Sequence, residues 1–217
     1  SGGSLKWLHR RLLLSSAYRQ SAAVDPRARI VDADNRLLSH ANRQRLDSES
    51  LRDALLQASD KLDQTMYGPP VQLFVMRPGV HVTPVADFDA FEIDRPEAQR
   101  RAVYRYVMRT RPDPFLEVFD CPDASLSVPV RGSSVSPLQA LALWNDRLVS
   151  RHSEHLATWA SRAYGELDGQ IDLVSTRIFG RSPTADEQDA WRAYGQRHGL
   201  ANLCRVLFNA SEFLFID

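Results

Sequence analysis

Nine of the twelve prolines fall between Pro69 and Pro129, and no other feature constrains the fold of this chain as strongly. Proline fixes φ and lacks an amide hydrogen, so this density excludes long helices and interior sheet strands. On both sides the pattern is helical. The chain therefore reads as a helical part over 4–64, a loop-rich part with short strands over 65–135, and a second helical part over 136–217. The middle part has too few periodic apolar positions to fold alone, so the two helical parts are expected to share one core in a single domain of residues 1–217. The expected fold is mainly α, a compact set of about seven or eight helices with a small antiparallel β element in the Pro-rich segment.

Local signals place the elements. Ser4 reads as an N-cap for a helix with Leu5, Leu8, Leu12 and Ser15 on one face, ending near Gln20. Asp25-Pro26 marks a break, followed by a polar connector to Asp34. Asn35–Arg45 reads as a short helix, and Asp47 caps another carrying Leu51, Ala54, Leu55, Ala58 and Leu62 on one stripe. Val71–Met76 and Ala102–Met108, rich in Val, Tyr and Phe, are the strand candidates for the antiparallel element. Asp113–Phe119, with Pro114 first, reads as a short helix.

Further on, Ser136-Pro137 opens the second helical part, and Asp146 caps a longer helix to about Tyr164. Asp168–Phe179 is closed by Gly180, and Thr184-Ala-Asp-Glu187 is a capping box. Leu200–Asn209 makes a last apolar helix, and the tail Phe213–Ile216 is expected to dock onto the body.

Composition narrows the function classes. Lys+Arg and Asp+Glu balance at 27 each, so no global field steers the chain to nucleic acid. Of the basic side chains only Lys6 and Lys61 are lysine, and the remaining arginines offer planar forks suited to carboxylates and carbonyls. No apolar run is long enough to cross a membrane, so no membrane insertion is expected. Ser1-Gly2-Gly3-Ser4 does not resemble a signal peptide and reads as a linker or a cut edge within a longer protein. Cys121 and Cys204 allow one disulfide, and no Cys-x-x-Cys occurs.

The densest polar chemistry lies between Asn35 and Leu56. Arg36, Asn42, Arg43, Arg45, Asp47, Arg52 and Asp53 are the candidate ligand-binding residues, because arginine forks beside carboxylates suit an anionic or polyhydroxyl ligand. The competing interpretation is an ion-pair network that locks helices together. His9, on the first helix, joins the candidates without an identifiable orienting partner.

His152 and His155, at i and i+3, are the one close pair among histidines at 9, 40, 81, 152, 155 and 198. An exposed polar helix face is the expected reading, and neither a metal nor a cofactor is expected. Six arginines with Tyr104 and Tyr106 between Arg95 and Arg111 suggest a half-buried strand with a wet basic face rather than a base-stacking surface. No Gly-x-Ser-x-Gly, Ser-x-x-Lys or glycine-rich phosphate loop occurs, and no catalytic residue is identified.

Several ordered blocks resemble one family. They are Leu5-Lys-Trp-Leu-His-Arg through Tyr18-Arg-Gln20, Asn35-Arg-Leu-Leu through Arg52-Asp-Ala-Leu55, and a third block over 101–145 with Phe119-Asp120 and Ser136-Pro-Leu-Gln-Ala-Leu141. Phe179-Gly-Arg-Ser-Pro-Thr184 and Glu212-Phe-Leu214 continue the likeness. Together they resemble the planctomycete-type PSD C-terminal domain of unknown function, number fifteen fifty-three in its series. Where that family more often has Thr, this chain has Ser136, and its Pro-rich middle is shorter.

The resemblance implies a C-terminal module of a large exported protein, at the periplasm or cell surface, whose other segments include cytochrome-c-like ones. This chain has no Cys-x-x-Cys-His, so it holds no c-type haem itself. The leading expectation is an accessory or binding module whose partner is a polysaccharide or another domain of the same parent protein. The alternatives are an enzyme of unfamiliar type using Asp47 or Asp53 with Arg36, Arg43 and Arg45, and a docking surface for a haem domain.

Overall fold

A computed structural model describes residues 2–79 and 84–216. In chain order its helices are α1 (Leu5–Leu13), α2 (Pro26–Val31), α3 (Ser48–Ala58), α4 (Pro114–Val118), α5 (Pro137–Asn145), α6 (Arg147–Ala163), α7 (Leu167–Phe179), α8 (Ala185–His198), α9 (Leu200–Phe208) and α10 (Ser211–Leu214). The strands are β1 (Gln44–Arg45), β2 (Val75–Arg77), β3 (Val85–Asp87) and β4 (Phe215–Ile216). The fold is mainly α, with two small antiparallel pairs, β1 with β4 and β2 with β3. Two compact units divide the chain: Ser1–Arg45 with Phe215–Asp217, and Leu46–Leu214.

The first unit is built from short, locally capped pieces. Ser4 accepts the Trp7 amide at 3.3 Å and starts α1. The helix stops at Leu13, short of Gln20, because Ser15 turns its hydroxyl onto Leu12 O at 2.7 Å and accepts from Tyr18 N. Asp25 accepts Arg27 N and, with Pro26 at the first position, starts α2 inside the expected connector. No residue of α1 or α2 is buried.

The expected helix over Asn35–Arg45 is absent. Asn35 and Leu38 sit at φ of 49° and 54°, in the left-handed region that a helix does not use. Asp32 accepts the amides of Arg36 and Leu37, and the buried Asn35 side chain bridges Ser39 N, His40 O and Asn42 Oδ1. This is a side-chain-built turn leading into β1, where Gln44 and Arg45 face Ile216 and Phe215.

The core of the second unit lies among α3, α4, α5, α6, α7 and α9. Leu51 and Leu55 of α3 join Leu143, Val149, Leu156, Ala160, Ile171, Val174, Leu203, Leu207 and Phe208, all 3% exposed or less. Thus the apolar stripe of α3 packs into one core with the C-terminal helices. Phe213 of α10 joins the same core, whereas Phe215 and Ile216 pair with β1 within the first unit.

The Pro-rich middle supplies a sheet, though not the expected one. β2 overlaps the first strand candidate but pairs with β3, with Val75 opposite Asp87 and Arg77 opposite Val85. The second candidate, Ala102–Met108, begins as a 3-10 turn over Ala102–Tyr104, held because Asp53 of α3 accepts Ala102 N at 2.7 Å. Only an isolated parallel bridge, Val71 to Arg105, remains of the expected pairing.

The caps of the C-terminal helices follow the sequence. Asp146 accepts Leu148 N, Thr184 and Glu187 form the capping box, and Gly180 closes α7 at φ 74°. Since an alanine strains at that φ, Gly180→Ala is expected to lower stability by about 1 kcal/mol. A urea titration reads this directly, and an unchanged midpoint contradicts the cap.

Candidate functional site

Arginines projecting from two helices organise one surface of the second unit. The Arg52 side chain on α3 is almost completely buried and donates to Ala98 O at 2.5 Å and Arg100 O at 2.9 Å. Arg147, the first residue of α6, donates to the carbonyls of Phe88, Asp89 and Phe91, the last at 2.7 Å. One turn on, Arg151 and His155 hold the Asp94 carboxylate, His155 Nε2 at 2.7 Å and Arg151 Nη2 at 2.6 Å. The Arg151 bond, aided by His155, pulls the Asp94 carboxyl down to about 2. These bonds tie the segment 88–100 along α3 and α6 as the wall of a cleft.

The opposite wall holds the N-termini of α4 and α6. Asp113 caps α4, accepting the amides of Phe115 and Leu116, and Asp146 caps α6. Between the walls is a cavity of about 120 Å³, with Leu73, Phe88, Phe91, Ile93, Phe115 and Leu148 as its apolar surface. Asp89, Asp113, Asp146, Arg52 and Arg147 supply its charges.

Two more depressions share lining with it. One, of about 30 Å³, shares Phe88 and Asp113 and runs on to Arg105, Tyr106 and Asp123. The other, of about 350 Å³, shares Ile93 and Arg147 and runs on to Asp94, Ser150, Arg151 and Glu154. The three adjoin through these shared residues, and the Phe88 ring common to the first two packs against Phe74, with centroids 5.4 Å apart.

The polar groups of the central cavity are unequally engaged. Both guanidinium groups are bonded to backbone carbonyls. Asp113 and Asp146 each use one oxygen as a helix cap, and the second oxygen of each has no hydrogen bond among the described residues. The Asp89 carboxylate makes none there either. Burial pushes the Asp146 carboxyl above the ordinary aspartate range, and the nearby negative charges of Asp113 and Asp89 add to this. The cavity thus offers acceptors and few free donors.

The sequence candidates divide between the two units. In the first, His9 lies exposed on α1 and Arg36 is exposed on the Asn35 turn. Arg43 is exposed with its guanidinium 5.6 Å from the Phe215 ring, and Arg45 pairs with Phe215 in β1. Asn42 and Arg43 line an open depression with Ser21–Val24 and His40. In the second unit, Asp47 caps α3 and stands 3.7 Å from Arg131. Asp53 accepts Ala102 N and lies 3.6 Å from both Arg52 and Arg101. Of the whole set, Arg52 alone lines the groove.

Sequence reasoning marked Asp146 as a helix cap and Asp113 as the start of a short helix, and did not place either beside a cavity. The available signal was two acids at helix starts on either side of a short apolar stretch, although nothing local shows that both line one cavity.

His152 departs from the expected exposed face. It is 1% exposed, and its Nδ1 lies 2.8 Å from Ser59 Oγ, whose single proton serves Leu55 O and Leu56 O. This hydrogen bond tethers α6 to the end of α3, and burial favours the neutral imidazole. Its neighbour His155 is bound to Asp94, and Glu154 to Arg151. His81 lies outside the described residues. Among the described residues no group of three or more His, Cys, Asp or Glu side chains is placed to hold a metal. Both cysteines are free thiols, and burial pushes that of Cys204 up. No described helix is long and apolar enough to cross a membrane.

Comparison with known proteins gives one match. The model of the family described as PSD1, protein of unknown function (DUF1553), matches residues 1–194. No curated protein and no solved structure matches the chain.

Proposed function

From the premise that this chain belongs to the PSD1 family of unknown function, we propose that it is a binding module for an extended, hydroxyl-rich ligand, a polysaccharide strand. The observation that carries this reading is the set of three adjoining depressions along the segment 88–94 and the start of α6. The half-buried Phe88 ring offers an apolar face suited to that of a sugar ring, and carboxylate oxygens that make no hydrogen bond suit its hydroxyls. A ligand of several linked units can occupy adjoining depressions at once, which a small ligand cannot. The module serves an exported multidomain protein, with other domains of the same polypeptide as partners. That part of the proposal rests on the sequence blocks shared with the family.

Asp146 favours a second reading. A carboxyl held above its ordinary range beside another carboxylate is the arrangement that acid–base chemistry on a glycosidic bond uses. The two readings separate on one assay, since a hydrolase releases reducing ends from the oligosaccharide and a binding module does not.

Titration calorimetry with neutral, acidic and amino-sugar oligomers tests the binding reading. Affinity is expected to rise from one to four sugars, and Phe88→Ala is expected to weaken the longest oligomer about tenfold, roughly 1.4 kcal/mol. Equal affinity for all lengths, or no binding by any oligomer, contradicts the groove.

A further inference from the structure

We propose that the smallest of the three depressions, lined together by Arg105, Arg109 and Arg111, is a subsite for a carboxylate, so that the polymer recognised carries uronic-acid units. This rests on the groove reading above and gives it a ligand class.

The half-buried Arg105 guanidinium has no acid to answer it. Its Nε is buried without a hydrogen-bond partner, and its Nη2 meets only the Cys121 sulfur, at 3.8 Å. Of five N–H groups, one therefore meets an acceptor, and a thiol sulfur accepts weakly and carries no charge. That thiol is itself turned to Glu49, its Sγ 3.9 Å from Oε1. The acids nearby are committed elsewhere. Glu49 is gripped by both Nη atoms of Arg131, Asp113 caps α4, and Asp123 accepts Ser125 N. Arg109 donates to the Ala124 and Ser125 carbonyls, and the Arg111 side chain makes no hydrogen bond or ion pair among the described residues.

A buried donor without an acceptor costs free energy, and in folded proteins such a group is normally answered by a bound water or ion. Three cations stand against Asp113 and Asp123 in the lining, so the missing ion is negative. Burial lowers the Arg52 pKa, and the positive charge of Arg105 adds to this, so an anion beside Arg105 relieves both guanidinium groups. A sugar hydroxyl leaves that charge in place, whereas a carboxylate seated on the Nη side matches the guanidinium fork and neutralises it. The size also fits. A volume of about 30 Å³ takes roughly two waters, which is room for the two oxygens of one carboxylate. Phe74 sets the neighbouring Tyr106 ring, with centroids 6.0 Å apart, and both line the depression beside Phe88. Aromatic carbon for a sugar ring thus adjoins the arginines that take its acid group.

The test compares two four-sugar ligands by calorimetry at neutral pH and low salt: α-1,4 galacturonate tetramer and the same tetramer fully methyl-esterified, which keeps the backbone and deletes the charge. The acid is expected to bind at least about tenfold tighter than its ester. Arg105→Met keeps the apolar stem and is expected to bring the acid down to the affinity of the ester. Arg162→Gln, an exposed position on α6, deletes an equal charge and is expected to keep the preference. Thermal unfolding of both variants confirms that they are folded, and Arg105→Met is expected to be no less stable than the natural protein, since no ion pair is lost. Equal binding of acid and ester overturns the carboxylate subsite and leaves the groove reading standing. A preference that survives Arg105→Met, or that Arg162→Gln removes as well, has the same consequence. No binding by either tetramer overturns both.

Discussion

Replacing Arg52 by methionine is expected to destabilise the second unit by about 3 kcal/mol, although the apolar stem is retained. Arg52 is 4% exposed and ties α3 to Ala98 O and Arg100 O. Each is a charge-assisted bond to a carbonyl, and truncation leaves both carbonyls without that donor as well as Asp53 with one cation fewer. An opposing term exists. Burial lowers the Arg52 pKa, so placing this charge here costs free energy that methionine does not incur. The loss is expected to win because methionine replaces the charge without replacing the bonds. Lysine is expected to fall between, since a single ammonium does not reproduce the fork that spans two carbonyls. Urea unfolding at neutral pH measures all three proteins. Wild-type stability in Arg52→Met would mean that the segment 88–100 is held by other contacts.

Acid is expected to begin weakening the protein above the carboxylate range, because of His152. Burial, aided by the nearby positive charges of His155 and Arg52, lowers the His152 pKa from 6.5 to about 3. The folded state therefore binds this proton less readily than the unfolded state. Its contribution is fully present above the unfolded value near 6.5 and is lost as pH falls from there toward about 3. At about 1.4 kcal/mol per pH unit, the loss reaches on the order of 4 kcal/mol across that window.

The carboxylates act lower. The Arg131 bond holds Glu49 at about 2, and Arg151 with His155 hold Asp94 at about 2, so their contributions persist above the ordinary carboxylate range and fade as pH falls toward about 2. Two steps at different pH are thus expected in the urea midpoint. His152→Gln is expected to be less stable at neutral pH and to flatten the upper step alone. A wild-type midpoint that is constant from about pH 7 to 5 would show that His152 is not buried neutral.

The elements read correctly from the sequence were those set by neighbours in the chain. Asp113, Asp146 and Thr184 cap helices because an acceptor side chain reaches an amide two or three residues away, and Gly180 ends α7 by its own backbone freedom. The Asn35 turn was misread as a helix because leucines and arginines at near-helical spacing conceal two left-handed residues. Those are stabilised by Asp32 and by the buried Asn35 amide, which periodicity does not register. Ala102–Met108 has strand composition, yet Asp53, 49 residues earlier, takes its first amide and sets a 3-10 turn.

The groove was the least legible part. It depends on Arg147 reaching back to Phe88–Phe91, 56 to 59 residues away, and on Arg52 reaching Ala98. The arginine richness was visible, but the partners were backbone carbonyls, which every sequence has. The candidates between Asn35 and Leu56 divide into a side-chain-built turn and the caps and ties of α3. Arg52 is their one link to the groove.

Hydrogen exchange of the intact protein with a saturating oligosaccharide tests the groove most directly. Slowed exchange is expected at amides in 88–94, in 105–108 and in the first turns of α6, with α7 and α8 unchanged. Protection over 21–24 and 40–43 instead would place the ligand in the depression lined by Asn42 and Arg43. That result, or saturation with no change along the segment 88–94, would contradict the groove.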